Sequence, residues 1–132
     1  MKYLLDTNIC IYIIKKKPEE VLKRFLKIKP DSIGISAITV SELYYGVAKS
    51  LKPDENTIAL EQFILPLTIL NFNKEDSIAY GRLRAKLEQR GKLIGAMDML
   101  IAAQALSRDL ILVTNNEREF KKVNGLFVEN WV

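Results

Sequence analysis

Three acids stand where acids are least expected. Asp6 directly follows the apolar run Lys2 to Leu5, Glu42 lies between Ile38 at i−4 and Tyr45 at i+3, and Asp98 has Ile101, Ala102 and Ala105 at i+3, i+4 and i+7. On a helix those spacings put Glu42 and Asp98 on stripes that should pack inward. A lone carboxylate there costs several kcal/mol unless a cation or donors compensate. Each acid also has a structural explanation, as a helix cap or as a first-turn carboxylate favoured by the helix dipole. Taken together they suggest a cluster, and converging carboxylates repel one another until a divalent cation neutralises them. Oxygen-only ligands favour Mg²⁺, with Mn²⁺ as substitute, over zinc. Such an ion activates water and offsets charge on a phosphodiester, so hydrolysis of phosphodiesters is the reaction class this chemistry suits.

What the chain lacks narrows the choice. It contains no histidine, which removes His-based triads, His-ligated zinc and His general bases together. Its single cysteine, Cys10, lies in an apolar run without a base to activate it. No G-x-x-x-x-G-K-[ST] loop and no G-x-G-x-x-G fingerprint occur, which disfavours nucleotide hydrolysis and dinucleotide redox chemistry.

Twenty Lys and Arg against sixteen Asp and Glu give a net charge of +4. With Asp6, Glu42 and Asp98 set aside as ligands, thirteen acids face the twenty cations, a surplus of seven over the rest of the molecule. Seven of the cations fall between Lys15 and Lys29, and Arg82, Arg84 and Arg90 are spaced along a later helix. These are either solvated helix faces or a surface for a polyanion, with Arg84 and Lys86 as candidate phosphate contacts.

The elements that must position the acids can be read from the pattern. Lys2 to Leu5, Ser32 to Ile35, Leu67 to Leu70, Leu110 to Val113 and Leu126 to Glu129 read as strands. Ile9 to Ile14, a stripe from Pro18 through Leu26, Ala37 to Ser50 behind the cap Ser36, Glu55 to Leu65, Lys74 to Gln89 behind the cap Asn73, and Gly95 to Ser107 read as helices. A turn with a short helix fills Thr114 to Phe120. Strands alternating with helices imply one α/β domain over residues 1–132, a three-layer α/β/α sandwich on a mostly parallel sheet. Open parallel sheets bind ligands at the carboxyl ends of their strands. Asp6-Thr7-Asn8 and Thr114-Asn115-Asn116 follow two such ends. No apolar stretch approaches the roughly 20 residues of a membrane span, and no cleavage-like signal segment follows Lys2. A cytoplasmic protein is expected.

Four segments carry a resemblance over essentially the whole chain. Leu5-Asp6-Thr7-Asn8, Ile35 through Leu43 with Gly46, Gly95-Ala96-Met97-Asp98 leading into Ile101-Ala102-Ala103, and Val113-Thr114-Asn115-Asn116 with Phe120 resemble, in order and spacing, the four motifs of PIN-domain ribonucleases. The chain is most similar to VapC-type toxins of bacterial toxin–antitoxin modules, down to the closing Glu129-Asn130-Trp131. The resemblance implies that Asp6, Glu42 and Asp98 hold one or two Mg²⁺ or Mn²⁺ ions. It places Asn116 where the fourth motif often has another Asp, and Thr7, Asn8 and Thr114 as groups that orient the carboxylates or water. It also implies an RNA substrate, a dimer, and a cognate antitoxin that inserts a segment into the active-site groove. Lys17-Pro18-Glu19, Leu93-Ile94-Gly95 and Thr114-Asn115-Asn116 are similar to enzymes that cut initiator tRNA in the anticodon loop. Two other readings compete. A phosphoacceptor receiver domain also has an acidic Mg²⁺ pocket, but Asn71-Phe72 and Thr114 stand where it needs an acceptor Asp and a strand-end Lys. A non-enzymatic interaction domain would satisfy its acids with arginines, and Asn116 favours it.

Overall fold

The computed structural model describes all residues, 1–132. Five strands form one sheet: β1 (Tyr3–Leu5), β2 (Ile33–Ser36), β3 (Thr68–Leu70), β4 (Ile111–Val113) and β5 (Val128–Glu129). Their order across the sheet is β3-β2-β1-β4-β5, and every neighbouring pair is parallel. The sheet is therefore wholly parallel, where the sequence pattern promised a mostly parallel one.

β1 lies in the centre because it can be buried on both faces: Tyr3, Leu4 and Leu5 are all buried. Alternation sends their side chains to opposite layers. Leu4, Leu70 and Leu112 pack under α5 (Lys74–Gln89) and α6 (Ala96–Ser107), while Tyr3, Leu5, Ile33, Ile35 and Val113 pack under α1 (Thr7–Lys15), α2 (Glu19–Leu26), α3 (Ala37–Ala48) and α4 (Pro53–Ile64). A four-residue helix, α7 (Glu117–Phe120), follows β4. Gly34 leaves room in β2 for the Leu70 side chain, which lies 3.0 Å from where a Cβ would stand.

Helix ends follow local chemistry. The expected helix at Ile9–Ile14 begins earlier, at Thr7, because Asp6 caps it through the Ile9 N–H at 2.9 Å. The helix expected from Glu55 begins at Pro53, the proline occupying its first position, where no N–H is needed. Asn73 and Asp76 close a reciprocal capping box at the start of α5. Gly91, at φ +63°, follows its end as expected. Buried Trp131 meets Tyr3 edge-on at 5.4 Å and fixes the carboxyl terminus beneath β1.

Candidate active site

Adjacency of β1 and β4 builds the centre of the site. The Asp6 N–H donates to Val113 O at 2.9 Å, which sets Asp6 and Thr114 side by side at two strand ends. There the Thr114 hydroxyl donates to Asp6 Oδ2, and the Asn116 N–H donates to the Thr114 oxygen at 2.9 Å. The other Asp6 oxygen takes the Ile9 N–H, so both carboxylate oxygens are oriented by the fold. Asp6 is only 5% exposed. Burial raises its pKa to about 6, the Thr114 and Ile9 donors oppose that rise, and the charges of Asp98 and Glu42 reinforce it.

Glu42 enters from α3, one turn past Thr39. Thr7, the first residue of α1, donates its hydroxyl to Glu42 Oε1 at 2.6 Å, and Thr39 Oγ1 lies 3.4 Å from the same hydroxyl. Asp98 enters from the first turn of α6, half-buried beside the uncapped Gly95. Its carboxyl pKa is raised by burial, then by the charges of Glu42 and Glu119, and no neighbour offsets these.

Glu119 is the member that strand-end reasoning overlooked. It stands on α7, three residues beyond Asn116, and its charge reaches Asp98. Nothing in the sequence marked it out, because Glu117 and Arg118 beside it give the segment the look of ordinary charged surface. Lys122 pairs with it at 3.1 Å. Asn116 contributes its backbone N–H, and its side chain caps nothing. Asn8 is exposed, with its side chain bonded to none of the acids. Arg84, the expected phosphate contact, already donates to Tyr80 Oη at 2.8 Å and Glu88 at 3.0 Å. Lys86 belongs to a separate groove with Arg82 and Arg90.

Four acids thus share one end of the sheet within electrostatic reach, and Asp6, Glu42 and Asp98 form no ion pair. No three of them close into a ready-made cage. The donors on offer are all carboxylate oxygens, the chemistry that a hard divalent cation takes, with waters completing its shell. Beside Glu42, a groove of about 340 Å³ runs between α1, α3 and α4, floored by Ile11, Ile14, Leu43, Val47 and Leu60. No helix is long and apolar enough to cross a membrane.

Comparison with known proteins agrees with this geometry. The PIN domain model matches residues 3–126. Ribonuclease VapC2 of Haemophilus influenzae is 48% identical over 132 residues, covering 100% of this chain and 99% of the relative. The tRNA(fMet)-specific endonuclease VapC of Salmonella typhimurium is 43% identical, covering 99% and 98%. The crystal structure of DNA-bound VapBC from Salmonella typhimurium superposes with a TM-score of 0.95 at 42% identity, covering 100% of this chain and 99% of that one. Divalent-metal dependence is general among PIN-domain nucleases, and the receiver and interaction-only readings give way. By sequence, by fold and by the acids gathered at its sheet end, the chain belongs to the PIN-domain family, among the VapC ribonucleases.

Proposed function

We propose that this chain is the Mg²⁺-dependent endoribonuclease toxin of a toxin–antitoxin pair, acting in the cytoplasm on initiator tRNA. The observation that carries the reading is Asp6: a buried carboxylate, oriented on both oxygens, that shares a sheet end with two further acids and no compensating cation. Asp6, Glu42 and Asp98 would hold the ion, with Glu119 close to Asp98. When bound, Mg²⁺ supplies a Lewis acid that makes water a nucleophile at neutral pH and offsets charge on the phosphodiester. The chain's own residues keep the ligands in register. Thr114 aims Asp6, the Asn116 N–H aims Thr114, and Thr7 aims Glu42. Without a histidine in the chain, these carboxylates are also the groups that take up or pass on protons from water.

The substrate follows from the relative named as a tRNA(fMet)-specific endonuclease, which matches over nearly the full length of both chains. The partner follows from the VapBC assembly. The apolar groove that ends at Glu42 is a suitable seat for an apolar antitoxin segment. Sequencing RNA ends after brief expression tests the substrate: cuts confined to the anticodon loop of initiator tRNA are expected, and cuts spread over many mRNAs would rule that substrate out. Purified chain with Asp6→Asn or Asp98→Asn tests the chemistry. Each substitution should abolish Mg²⁺-dependent cleavage and leave a folded protein.

A further inference from the structure

The long helix α5 and its C-cap, Arg90, carry two kinds of cation. Arg84 is engaged by Glu88 and Tyr80. Arg82, Lys86 and Arg90 instead recur at i, i+4 and i+8, are all exposed, and form no ion pair with any carboxylate. They share a groove of about 260 Å³ between α5 and the end of α6, its polar walls completed by Ser107 and Asn124 and its floor apolar. No acid lines it. Arg90 is steadied by donating to the Lys122 carbonyl, which joins the helix to the segment after α7.

We propose that this groove is an RNA-backbone track, separate from the carboxylate centre, that holds the phosphates of the substrate away from the scissile bond. The inference rests on the nuclease reading of the acids. Four positions on a helix advance about 6 Å along its axis, so the three cations form an evenly spaced row. Such a row suits a polyanion with charge on every repeat unit. The carboxylate end repels RNA, so affinity has to come from elsewhere on the molecule, and phosphate contacts of this kind position without reading sequence. Leu106, in the groove wall, is eight residues beyond Asp98 on α6, about 12 Å along the helix. A folded RNA can cover both places, whereas a dinucleotide held at the acids cannot. An acidic protein segment is the rival occupant, and the even row together with the chain's own chemistry on RNA favours the nucleic acid.

The test compares the parent chain with a triple variant, Arg82→Gln, Lys86→Gln and Arg90→Gln, binding fluorescently labelled tRNA in EDTA, where nothing is cut. At about 0.7 per phosphate contact, the slope of log K against log salt should be shallower by about 2 in the triple variant. Lys52→Gln, on a paired exposed lysine in the other layer, should leave it unchanged. Arg82→Lys with Arg90→Lys should keep the parent slope, which separates lost charge from lost fold. With Mg²⁺, the triple variant should show a several-fold higher KM for tRNA at unchanged kcat, with dinucleotide cleavage unaffected. A parent that cleaves RNA beside a triple variant with the parent's slope would overturn this inference alone, including the case in which the variant loses a protein partner instead. A parent that neither binds nor cleaves RNA would overturn both readings.

Discussion

Asp6 is held in a state that the fold alone does not favour. Its pKa of about 6 against an ordinary 3.8 means that the folded chain binds this proton more tightly than the unfolded chain does. Stability from this group is therefore full below pH 4 and is lost as pH rises through 6. At neutral pH the ionised form costs about 3 kcal/mol, which a bound divalent cation would offset. In Asp6→Asn the amide oxygen keeps the Ile9 cap and its NH₂ faces Thr114. Differential scanning calorimetry without metal at pH 7.5 should show this variant melting several degrees above the parent, while cleavage disappears. A lower melting temperature would show that the charge is not destabilising. Thr114→Val removes the donor that opposes the rise, so the acidic limb of the pH–rate profile should move to higher pH. Glu119→Gln relieves Asp98 of one repelling charge. Its expected effect on kcat is smaller than that of Asp98→Asn, with weaker Mg²⁺ affinity in metal titrations.

Elements hold these residues in place at two kinds of joint. At the strand ends, one backbone bond from Asp6 to Val113 sets the whole Asp6–Thr114 geometry. At the α5–α6 joint, fully buried Asp76 accepts from the Asn73 N–H at 2.9 Å, from Ser107 and from Arg108 at 3.0 Å. Despite burial, these donors hold the Asp76 carboxyl below its ordinary pKa. Its contribution is thus present above pH 4 and is lost at more acidic pH. Opposite signs at Asp6 and Asp76 place the stability maximum of the metal-free chain near pH 4, with a decline between pH 4 and 6 as Asp6 ionises, and saturating Mg²⁺ should remove that decline; thermal melts across pH would show both. Asp76→Ala leaves Arg108 and the Asn73 N–H without their acceptor, for an expected loss of about 2–3 kcal/mol in urea unfolding. Most of these elements were legible beforehand, because caps such as Ser36 and Asn73 and apolar runs such as Leu110 to Val113 act locally. Helix starts were less so, since whether Asp6 or Pro53 begins a helix depends on backbone bonds that periodicity does not display.

At the scale of the whole molecule, the sheet order β3-β2-β1-β4-β5 brings together residues 6, 42, 98 and 119, which the sequence scatters. Asp6 and Asp98 could be picked out because each interrupts an apolar pattern. Glu119 could not, because on a four-residue helix with Glu117 and Arg118 around it, an acid has the look of ordinary surface. The three cations of the α5 groove were likewise indistinguishable from Arg84 until the structure showed which of them lack a carboxylate partner. The central claim is that the acids at this sheet end cleave RNA through a divalent ion. It is tested most directly by following end-labelled initiator tRNA under single-turnover conditions with parent and Asp98→Asn protein, each in Mg²⁺ and in EDTA. Cleavage by the parent in Mg²⁺ alone, with Asp98→Asn slower by about 10²- to 10³-fold, is the expected result. Equal rates for the two proteins, or a parent rate indifferent to EDTA, would contradict it.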